Sequence, residues 1–499
     1  MTMNKTTPLN TTQFLFDALD DPTLLKTDGL IDGHWVQGTS RFDIMNPATG
    51  GRLAAVANLG SDEAVMAIDA ARRAWPAWRG KTAKDRAGLL HKWFALIREH
   101  ATDLARIITA EQGKPLAEAA GEVAYGASFV EWFAEEARRT YGEVIPTTDN
   151  NKSYIVIKQP IGVCAAITPW NFPLAMITRK VAPALAAGCP VVIKPAEQTP
   201  LTALALAELA VRAGIPDGVF NVVPADRENS VAVGKQLCES ETVRHLSFTG
   251  STEVGRILMK QCAPTIKKLA LELGGNAPFI VFDDADIASA VEGAVLAKYR
   301  NGGQTCVCVN RFYAQDAIHD QFVAKLAERV KTIRVGNGFE AGVTQGPLID
   351  DDAVAKVRSH IENALSLGAT VVTGGKSLGG RLFEPTVLSN MTHEMQCAKE
   401  ETFGPVAPVF RFKTEEEVIA MANDSNVGLA SYFYTRNVGR VFRVAEALET
   451  GMVGINTGAI STPEVPFGGI KQSGLGREGA RQGIDEYLEV KHMCIAGKA

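Results

Sequence analysis

The chain has 499 residues, of which 46% are hydrophobic and 21% charged, and its formal net charge is −5. This length exceeds what one hydrophobic core organises, so we expect two or three domains, and the acidic balance argues against nucleic acid as a partner. The sequence contains no run of about 18 apolar residues that would span a membrane. Its eight cysteines and eight histidines follow neither a disulfide-rich nor a metal-binding pattern, so we expect a cytoplasmic protein without a metal site.

The first part of the chain predicts helices. The polar N-terminus lacks the apolar core of a secretory signal, and we treat residues 1–25 as a leader. Alanine-rich amphipathic segments then predict helices over 61–110 and 118–139, with Ser61 as an N-cap.

From residue 154 onward, short apolar strands alternate with helices. The first series of predicted strands is Val163–Ile167, Val191–Lys194, Val219–Val223, His245–Thr249 and Phe279–Phe282. The second series is Arg311–Ala314, Ala369–Thr373, Val406–Phe412, Ser431–Tyr434 and Gly454–Ile455. Strands separated by helices predict parallel sheets with crossover connections, so we expect an α/β protein with two doubly wound lobes.

Two segments fit neither lobe. The stretches Tyr154–Lys158 and Tyr487–Ile495 have strand character, and an unpaired β-edge invites pairing with another chain. They therefore predict a small β oligomerisation element and a homodimer or homotetramer. The predicted units are a first lobe over 26–140 and 160–271, a second lobe over 272–480, and the oligomerisation element over 141–159 and 481–499.

A cysteine and a glutamate lie on glycine-flanked turns. Cys306 follows Asn-Gly-Gly-Gln-Thr, and Glu272 precedes Leu-Gly-Gly-Asn. A thiolate can add to a carbonyl carbon, and a carboxylate can later activate the water that attacks the resulting thioester. Because a lone buried cysteine more often only packs, this pair needs support from other motifs.

Polar residues also follow two neighbouring predicted strands, where open α/β sheets bind ligands. Lys194 and Glu197 can hydrogen-bond ribose hydroxyls, or they can form a surface ion pair in a capped loop. The glycines of Gly250-Ser251-Thr-Glu-Val-Gly255 precede a helix whose start favours a phosphate. Their spacing is not that of the G-x-G-x-x-G fingerprint, so the motif alone is weak.

A third strand end carries the turn Thr-Pro-Trp170-Asn171-Phe-Pro. The asparagine amide, held between a tryptophan and a proline, can donate a hydrogen bond to a developing oxyanion. Alternatively, Asn171 caps the helix that follows.

Together, these motifs resemble the aldehyde dehydrogenase superfamily in their order and approximate spacing. The matching segments are the Asn171 turn, Lys194-Pro-Ala-Glu197, Phe248–Gly255, Glu272-Leu-Gly-Gly-Asn, Gly303-Gln-Thr-Cys306 and Glu400-Glu401-Thr-Phe403-Gly-Pro. The resemblance extends from about residue 30 to the C-terminus and leaves only the leader uncovered.

The resemblance implies a role for each matched residue. Cys306 would be the nucleophile, Asn171 an oxyanion donor and Glu272 the base that activates water. The implied cofactor-binding residues are Trp170, Lys194, Glu197, Gly250, Ser251, Gly255, Glu401 and Phe403. NAD or NADP would accept a hydride, and the Glu197 carboxylate favours NAD because it would repel a 2′-phosphate.

Within the superfamily, the segments around Arg179, Arg300 and Ser461 are similar to those of succinate-semialdehyde dehydrogenases. The resemblance implies that these side chains bind the carboxylate of a small aldehyde formed in 4-aminobutyrate degradation. Arg179 lies about two helical turns past Asn171, and Arg300 shortly precedes Cys306, so both can face one channel. Without the resemblance, we would expect each arginine to pair with an acidic side chain.

Three alternatives remain open from the sequence. Glutarate semialdehyde is one methylene longer than succinate semialdehyde, and a pocket discriminates one methylene by only about 1–3 kcal/mol. A cysteine thioesterase of the same fold would use Cys306 but gives no reason for Lys194, Glu197 and Glu401. Cys308 can form a strained, reducible disulfide with Cys306, or it can only pack.

Overall fold

The computed structural model describes residues 11–497. Its helices are α1 Thr11–Ala18, α2 Ser61–Gly80, α3 Ala83–Glu99, α4 Ala101–Gln112, α5 Leu116–Glu136, α6 Ala175–Ala187, α7 Pro200–Arg212, α8 Arg227–Glu239, α9 Thr252–Cys262, α10 Ile287–Tyr299, α11 His319–Val330, α12 Asp351–Ser366, α13 Gln396–Lys399, α14 Glu415–Asn423, α15 Val438–Ala447 and α16 Gln482–Asp485. Within these described residues, no helix combines the length and apolar character that a bilayer crossing requires.

The strands follow the alternation that the sequence predicts. They are β1 Gly29–Ile31, β2 His34–Val36, β3 Ser40–Met45, β4 Arg52–Asn58, β5 Glu143–Ile145, β6 Lys152–Pro160, β7 Val163–Ile167, β8 Val191–Lys194, β9 Phe220–Val222, β10 Val243–Thr249, β11 Lys268–Glu272, β12 Ala277–Val281, β13 Val309–Gln315, β14 Thr370–Thr373, β15 Ser377–Gly379, β16 Leu382–Phe383, β17 Thr386–Ser389, β18 Val406–Phe412, β19 Val427–Gly428, β20 Ala430–Tyr434, β21 Met452–Ile455, β22 Ile470–Lys471, β23 Gly474–Leu475 and β24 Leu488–Ala496.

The first lobe is built on a sheet with the spatial order β2-β1-β9-β8-β7-β10-β11-β23. The five central strands β9, β8, β7, β10 and β11 are mutually parallel, while β1, β2 and β23 pair antiparallel at the two edges. The register places Ile167 beside both Lys194 and Phe248, and Thr249 beside Glu272. The carboxyl ends of these strands therefore meet at one edge of the sheet, where α/β proteins bind ligands.

The second lobe is built on a sheet with the order β14-β17-β18-β13-β12-β20-β21. All its pairings are parallel except that of β14 with β17. Phe279 of β12 packs against Phe312 of β13 and Tyr434 of β20, with ring centroids 5.2 Å apart in both pairs. The two lobes confirm the predicted α/β class.

The two segments that fitted neither lobe pair with each other. Strand β24 runs antiparallel to β6 from Leu488 opposite Pro160 to Ala496 opposite Lys152, and β5 pairs with the other side of β6. The result is a three-stranded sheet with the order β24-β6-β5, in which the hairpin and the terminal strand complete one element.

The N-terminal segment joins the first lobe rather than preceding it. Leu15, Leu19 and Leu24 are buried in the first-lobe core, and the Asp103 carboxylate accepts hydrogen bonds from the backbone N–H groups of residues 20 and 21. Leu15 lies in α1, while Leu19 and Leu24 follow the helix, so three apolar side chains of this segment join the core. Residues 1–10 of the predicted leader lie outside the described residues, whereas its residues 15–24 contact the first-lobe core.

Candidate active site

A cleft of about 280 Å³ opens where the strand ends of the first lobe face the second lobe. Its lining residues are Pro169, Trp170, Asn171, Thr249, Gly250, Ser251, Leu273, Gly274, Cys306, Lys356, Glu401 and Phe403. Segments from both lobes, far apart in the chain, therefore meet at one cleft.

The backbone before Cys306 turns sharply. Asn301, Gly302 and Gly303 have positive φ angles of 53°, 61° and 78°. A Cβ at Gly303 would stand 2.2 Å from the carbonyl oxygen of Gly404, so only glycine fits there. The turn leaves the Cys306 thiol half-buried at the cleft.

Burial raises the pKa of the Cys306 thiol to about 12, although the Arg179 guanidinium opposes this shift. The carboxylates of Glu272 and Glu401 raise the pKa further, and Arg300 lowers it. The two guanidinium groups are thus the cations that favour a thiolate at this position.

Asn171 is held against the turn that carries the cysteine. Its side-chain Nδ2 donates to the carbonyl oxygen of Gln304 at 3.1 Å, which leaves the second N–H of the amide free to donate elsewhere. Its own backbone carbonyl accepts hydrogen bonds from Lys114 Nζ at 2.8 Å and Asn301 Nδ2 at 3.0 Å. The amide is therefore fixed beside the cysteine by contacts at both its backbone and its side chain.

Glu272 ends β11 but does not line the cleft. Burial, and then the nearby Glu478 carboxylate, raise the pKa of Glu272 well above its usual range. Its Oε2 is buried without a hydrogen-bond partner in the described part of the chain, and a Cβ on Gly468 would stand 2.8 Å from its Oε1. The carboxyl group must therefore rotate before it can serve a water molecule at Cys306.

Aromatic and acidic side chains form the opposite wall of the cleft. Trp170 packs edge-on against Phe403, with ring centroids 5.6 Å apart. Glu401 Oε1 accepts a hydrogen bond from the Gly275 N–H at 3.3 Å, and burial raises the pKa of Glu401 to about 7.

The glycines before and within α9 leave little room for a side chain. A Cβ at Gly250 would stand 2.4 Å from the Phe248 ring, and one at Gly255 would stand 2.6 Å from the Leu273 side chain. The Ser251 hydroxyl caps the helix by accepting from the Val254 N–H at 3.3 Å. Backbone N–H groups at a helix start of this kind favour an anion.

Lys194 and Glu197 form an ion pair at 3.4 Å beyond β8. Lys194 is buried, and burial lowers the pKa of its ammonium group while Glu197 opposes the shift. The half-buried Glu197 lines a separate cavity of about 490 Å³ whose walls also carry Asp43, Asp226 and Asp350.

The two arginines differ in their surroundings. Arg179 is buried, and its Nε donates to Glu478 Oε2 at 2.7 Å, as expected for an arginine that pairs with an acid. Its guanidinium stacks on Phe467 at 3.9 Å, and its Nη2 is a buried donor without a partner in residues 11–497. Arg300 is exposed, lies over the Phe172 ring at 5.2 Å and forms no ion pair with another described residue.

Ser461 is linked to Arg179 through a residue that the sequence did not single out. The Tyr125 hydroxyl hydrogen-bonds to Ser461 Oγ, and Arg179 Nη1 approaches the same hydroxyl at 3.5 Å. Tyr125 and Arg300 both line a cavity of about 240 Å³, and Arg300 and Ser461 both line a smaller one of about 30 Å³. Arg300 and Ser461 thus border cavities near the cysteine turn, while the buried Arg179 reaches this region only through its contact with Tyr125.

Cys308 is buried, and its Sγ donates to the carbonyl oxygen of Lys298 at 3.1 Å. Both Cys306 and Cys308 are free thiols. A redox role for Cys308 stays a prediction.

Sequence reasoning missed four buried charged residues beside the cleft: Lys114, Glu122, Lys180 and Glu478. Lys180 Nζ contacts both Glu478 and the Ser247 hydroxyl. The Gly-Lys-Pro sequence between two helices was the available signal for Lys114, because a lysine between two turn-forming residues is unusual in a buried loop.

The family model described as "Aldehyde dehydrogenase family" matches residues 35–493. The chain therefore belongs to the aldehyde dehydrogenase family, as its motifs predicted. It is 60% identical over 481 residues to the NADP-dependent succinate-semialdehyde dehydrogenase of Escherichia coli K12, covering 96% of this chain and 99% of that protein.

A second relative and a crystal structure show similar levels of identity. The chain is 60% identical over 480 residues to the glutarate-semialdehyde dehydrogenase of Pseudomonas putida KT2440, again covering 96% of this chain and 99% of the relative. The crystal structure of succinate-semialdehyde dehydrogenase from Burkholderia pseudomallei superposes with a TM-score of 0.95 at 58% identity, covering 96% of this chain and all of that one.

Proposed function

We propose that this enzyme oxidises succinate semialdehyde to succinate with NAD or NADP. The observation that carries the substrate assignment is Arg300, an exposed guanidinium that borders the cavities beside Cys306 and forms no ion pair with another described residue. Arg179 adds an unpartnered buried Nη2, and a buried donor gains most from a charged acceptor. A carboxylate at the far end of a short aldehyde satisfies both groups.

The residues of the cleft fit a nicotinamide cofactor. The helix start after Gly250 offers backbone N–H groups to a pyrophosphate, and Glu401 lies beside glycine at Gly274, where a Cβ would stand 3.1 Å from its Oε2. Lys194 and Glu197 would hold the adenine-side ribose. When bound, the nicotinamide supplies the hydride acceptor for the reaction.

Cys306 then forms the bond to the substrate. The Cys306 thiol loses its proton to water, and the thiolate adds to the aldehyde carbon. The resulting thiohemiacetal oxyanion accepts hydrogen bonds from the free Asn171 N–H and the Cys306 backbone N–H. Loss of the hydride from the same carbon leaves a thioester on Cys306.

Glu272 completes the cycle. Its raised pKa makes its carboxylate a stronger base than an ordinary glutamate once the group turns into the cleft. It removes a proton from water as the water attacks the thioester, which releases succinate and returns the thiol.

For the cofactor, we propose that NAD is preferred and NADP is tolerated. Glu197 would accept hydrogen bonds from ribose hydroxyls, while its negative charge would repel a 2′-phosphate. The cavity that Glu197 lines carries acidic side chains together with Arg227 and Arg381. Lys194 attracts that phosphate, which is why NADP remains usable.

The test compares kcat/KM for succinate semialdehyde, glutarate semialdehyde and butanal with both cofactors. We expect succinate semialdehyde to exceed the uncharged butanal by about a hundredfold, the value of a charge-assisted bond pair. If glutarate semialdehyde gives the highest kcat/KM, the longer substrate replaces our assignment, since relatives of both kinds share 60% identity with this chain. Equal values for all three aldehydes would remove the carboxylate-binding role.

We further propose a homodimer or homotetramer assembled through the three-stranded sheet. Its strands expose apolar side chains, with Val144 at 79%, Val490 at 68% and Ile495 at 50% exposure. Such side chains on open β-edges favour pairing with another chain. Light scattering that detects only a 53.4 kDa species at micromolar concentration would contradict the assembly.

A further inference from the structure

Lys114 is a buried cation in the loop between α4 and α5. It is 2% exposed, and its Nζ donates to Glu122 Oε2 at 2.6 Å and to the carbonyl oxygen of Asn171 at 2.8 Å. The same Nζ lies 3.9 Å from the centre of the Phe172 ring. Burying an ammonium group is unfavourable unless every contact compensates for it, and here the contacts converge on the Asn171 turn.

Glu122 fixes the other end of that turn. While its Oε2 accepts from Lys114, its Oε1 accepts from the backbone N–H groups of Leu174 at 2.9 Å and Ala175 at 3.3 Å, where α6 begins. The ion pair therefore holds both the entry and the exit of residues 171–174. A turn restrained at both ends has little freedom to rotate its first side chain.

Helix α5, which carries Glu122, also restrains the turn before Cys306 through Glu118. Glu118 Oε2 accepts from the Asn301 N–H at 2.9 Å, and Asn301 Nδ2 donates to the Asn171 carbonyl at 3.0 Å. Lys114 and Asn301 thus share one acceptor, so the Asn171 turn and the Cys306 turn are held in register by a common point.

The Lys114 loop is wedged between the two lobes. Gly113 has a φ of 93°, and a Cβ there would stand 2.7 Å from Pro347 of the second lobe. Just after the loop, the Leu116 N–H donates to the Gly338 carbonyl at 3.0 Å. This wedge makes the loop rigid, which suits a part that must place another group to within a fraction of an ångström.

We propose that Lys114 is a positioning residue that holds the Asn171 amide where it donates to the oxyanion. The inference rests on the proposed function, because it assumes that Asn171 stabilises the thiohemiacetal oxyanion. Lys114 does not line the cleft at Cys306, but it does line the cavity of about 240 Å³ that Arg300 borders. Its contact with the oxyanion site is the hydrogen bond from Nζ to the carbonyl of Asn171.

The alternative is that the Lys114–Glu122 pair only stabilises the fold. Lys114→Met leaves Glu122 as an uncompensated buried charge, which lowers stability in either case. The double variant Lys114→Met with Glu122→Gln removes both charges, so it restores most of the lost Tm. If Lys114 positions Asn171, the double variant keeps the loss in kcat/KM, because the donor to the Asn171 carbonyl is still missing.

The experiment measures Tm and kcat/KM for succinate semialdehyde with saturating cofactor. We expect Lys114→Met to lower kcat/KM by about ten- to a hundredfold, as supporting contacts around a reactive group typically do. The KM for the cofactor should stay unchanged. Lys267→Met is a matched control, because Lys267 is also buried and donates to the backbone carbonyls of Ser240 and Val243. It should lower Tm without lowering aldehyde kcat/KM.

A double-mutant cycle with Asn171→Ala separates the two proposals. If Lys114 acts through Asn171, adding Lys114→Met to Asn171→Ala should lower kcat/KM no further. Additive losses, or full recovery of kcat/KM in the charge-free double variant, would overturn the positioning role alone. An Asn171→Ala variant with unchanged kcat/KM would instead overturn the oxyanion assignment, and the inference with it.

Discussion

The two sides of the cleft hold their polar groups in different ways. On the cofactor side, formed by Trp170, Gly250, Ser251, Glu401 and Phe403, backbone groups and packed rings set the geometry. On the aldehyde side, formed by Tyr125, Phe172, Arg300 and Ser461, a few side-chain tips face open cavities.

This difference indicates whether cofactor binding or aldehyde preference changes more easily on substitution. A side chain at Gly250 forces the Phe248 ring to move, so we expect the cofactor side to tolerate little change. The aldehyde side depends on a charge that one substitution removes. Cofactor class should therefore be fixed by the fold, and aldehyde preference by single side chains.

The largest expected effect comes from the atom where the two sides meet. Cys306→Ser should lower kcat by at least about 10³-fold, because a hydroxyl forms the covalent intermediate far less readily. Cofactor affinity should persist, and titration calorimetry with NAD measures it. Loss of NAD binding in this variant would show that the cofactor side and the aldehyde side do not act independently.

Replacing Arg300 should strike the aldehyde side alone. Arg300→Ala should raise the KM for succinate semialdehyde so that kcat/KM falls about a hundredfold, with butanal turnover and Tm nearly unchanged. Arg179→Ala should also weaken succinate semialdehyde but lower Tm as well, since Glu478 loses its 2.7 Å partner. Equal losses on both aldehydes for Arg300→Ala would mean that this arginine is structural.

The thiol should become more reactive as the pH rises. Because burial raises the Cys306 pKa to about 12, its thiolate fraction should grow about tenfold for each pH unit between 7 and 10. Alkylation by iodoacetamide without ligands measures this, with Cys306→Ser as the blank for other thiols such as the exposed Cys494. A plateau below pH 9 would contradict the expected shift.

On the cofactor side, the preference between NAD and NADP should depend on the charge of Glu197. Glu197→Ser should shift the ratio of kcat/KM for NADP over NAD upward by about tenfold, because repulsion of the 2′-phosphate disappears while Lys194 remains. Parallel assays with both cofactors measure the ratio. If the wild-type enzyme already has a tenfold higher kcat/KM with NADP than with NAD, the Glu197 charge does not determine the cofactor preference.

The smallest effect on turnover is expected from Cys308. Cys308→Ala should keep kcat within about twofold, yet abolish the recovery by dithiol of enzyme inactivated with peroxide. Equal recovery in the variant and the wild type would show that Cys308 only packs.

Local patterns in the sequence predict most of the fold and the catalytic residues. Strands β7, β8 and β18 have the bounds that their apolar runs indicate, because turn-forming or charged residues end each run. Cys306, Asn171, Glu401 and Phe403 line one cleft, since each follows a recognisable strand end or turn.

The missing parts depend on contacts between distant residues. The Arg179–Glu478 pair joins positions 299 residues apart, and Lys114 reaches Asn171 across 57 residues. No local pattern encodes which buried groups meet, because their contacts form only when segments distant in the chain pack together. The contact of Leu15 with the first-lobe core could not be predicted for the same reason, since it depends on residues far along the chain.

The position of strand β23 affects how the first lobe folds during synthesis. Its residues 474 and 475 pair with Glu272 and Leu271, so the edge of the first sheet is closed by a segment near the C-terminus. During synthesis, the first lobe must wait for most of the chain to emerge before that edge is covered. A fragment ending at residue 271 would expose the β11 edge and should aggregate, and a nascent chain of that length is where we expect chaperone contact to begin.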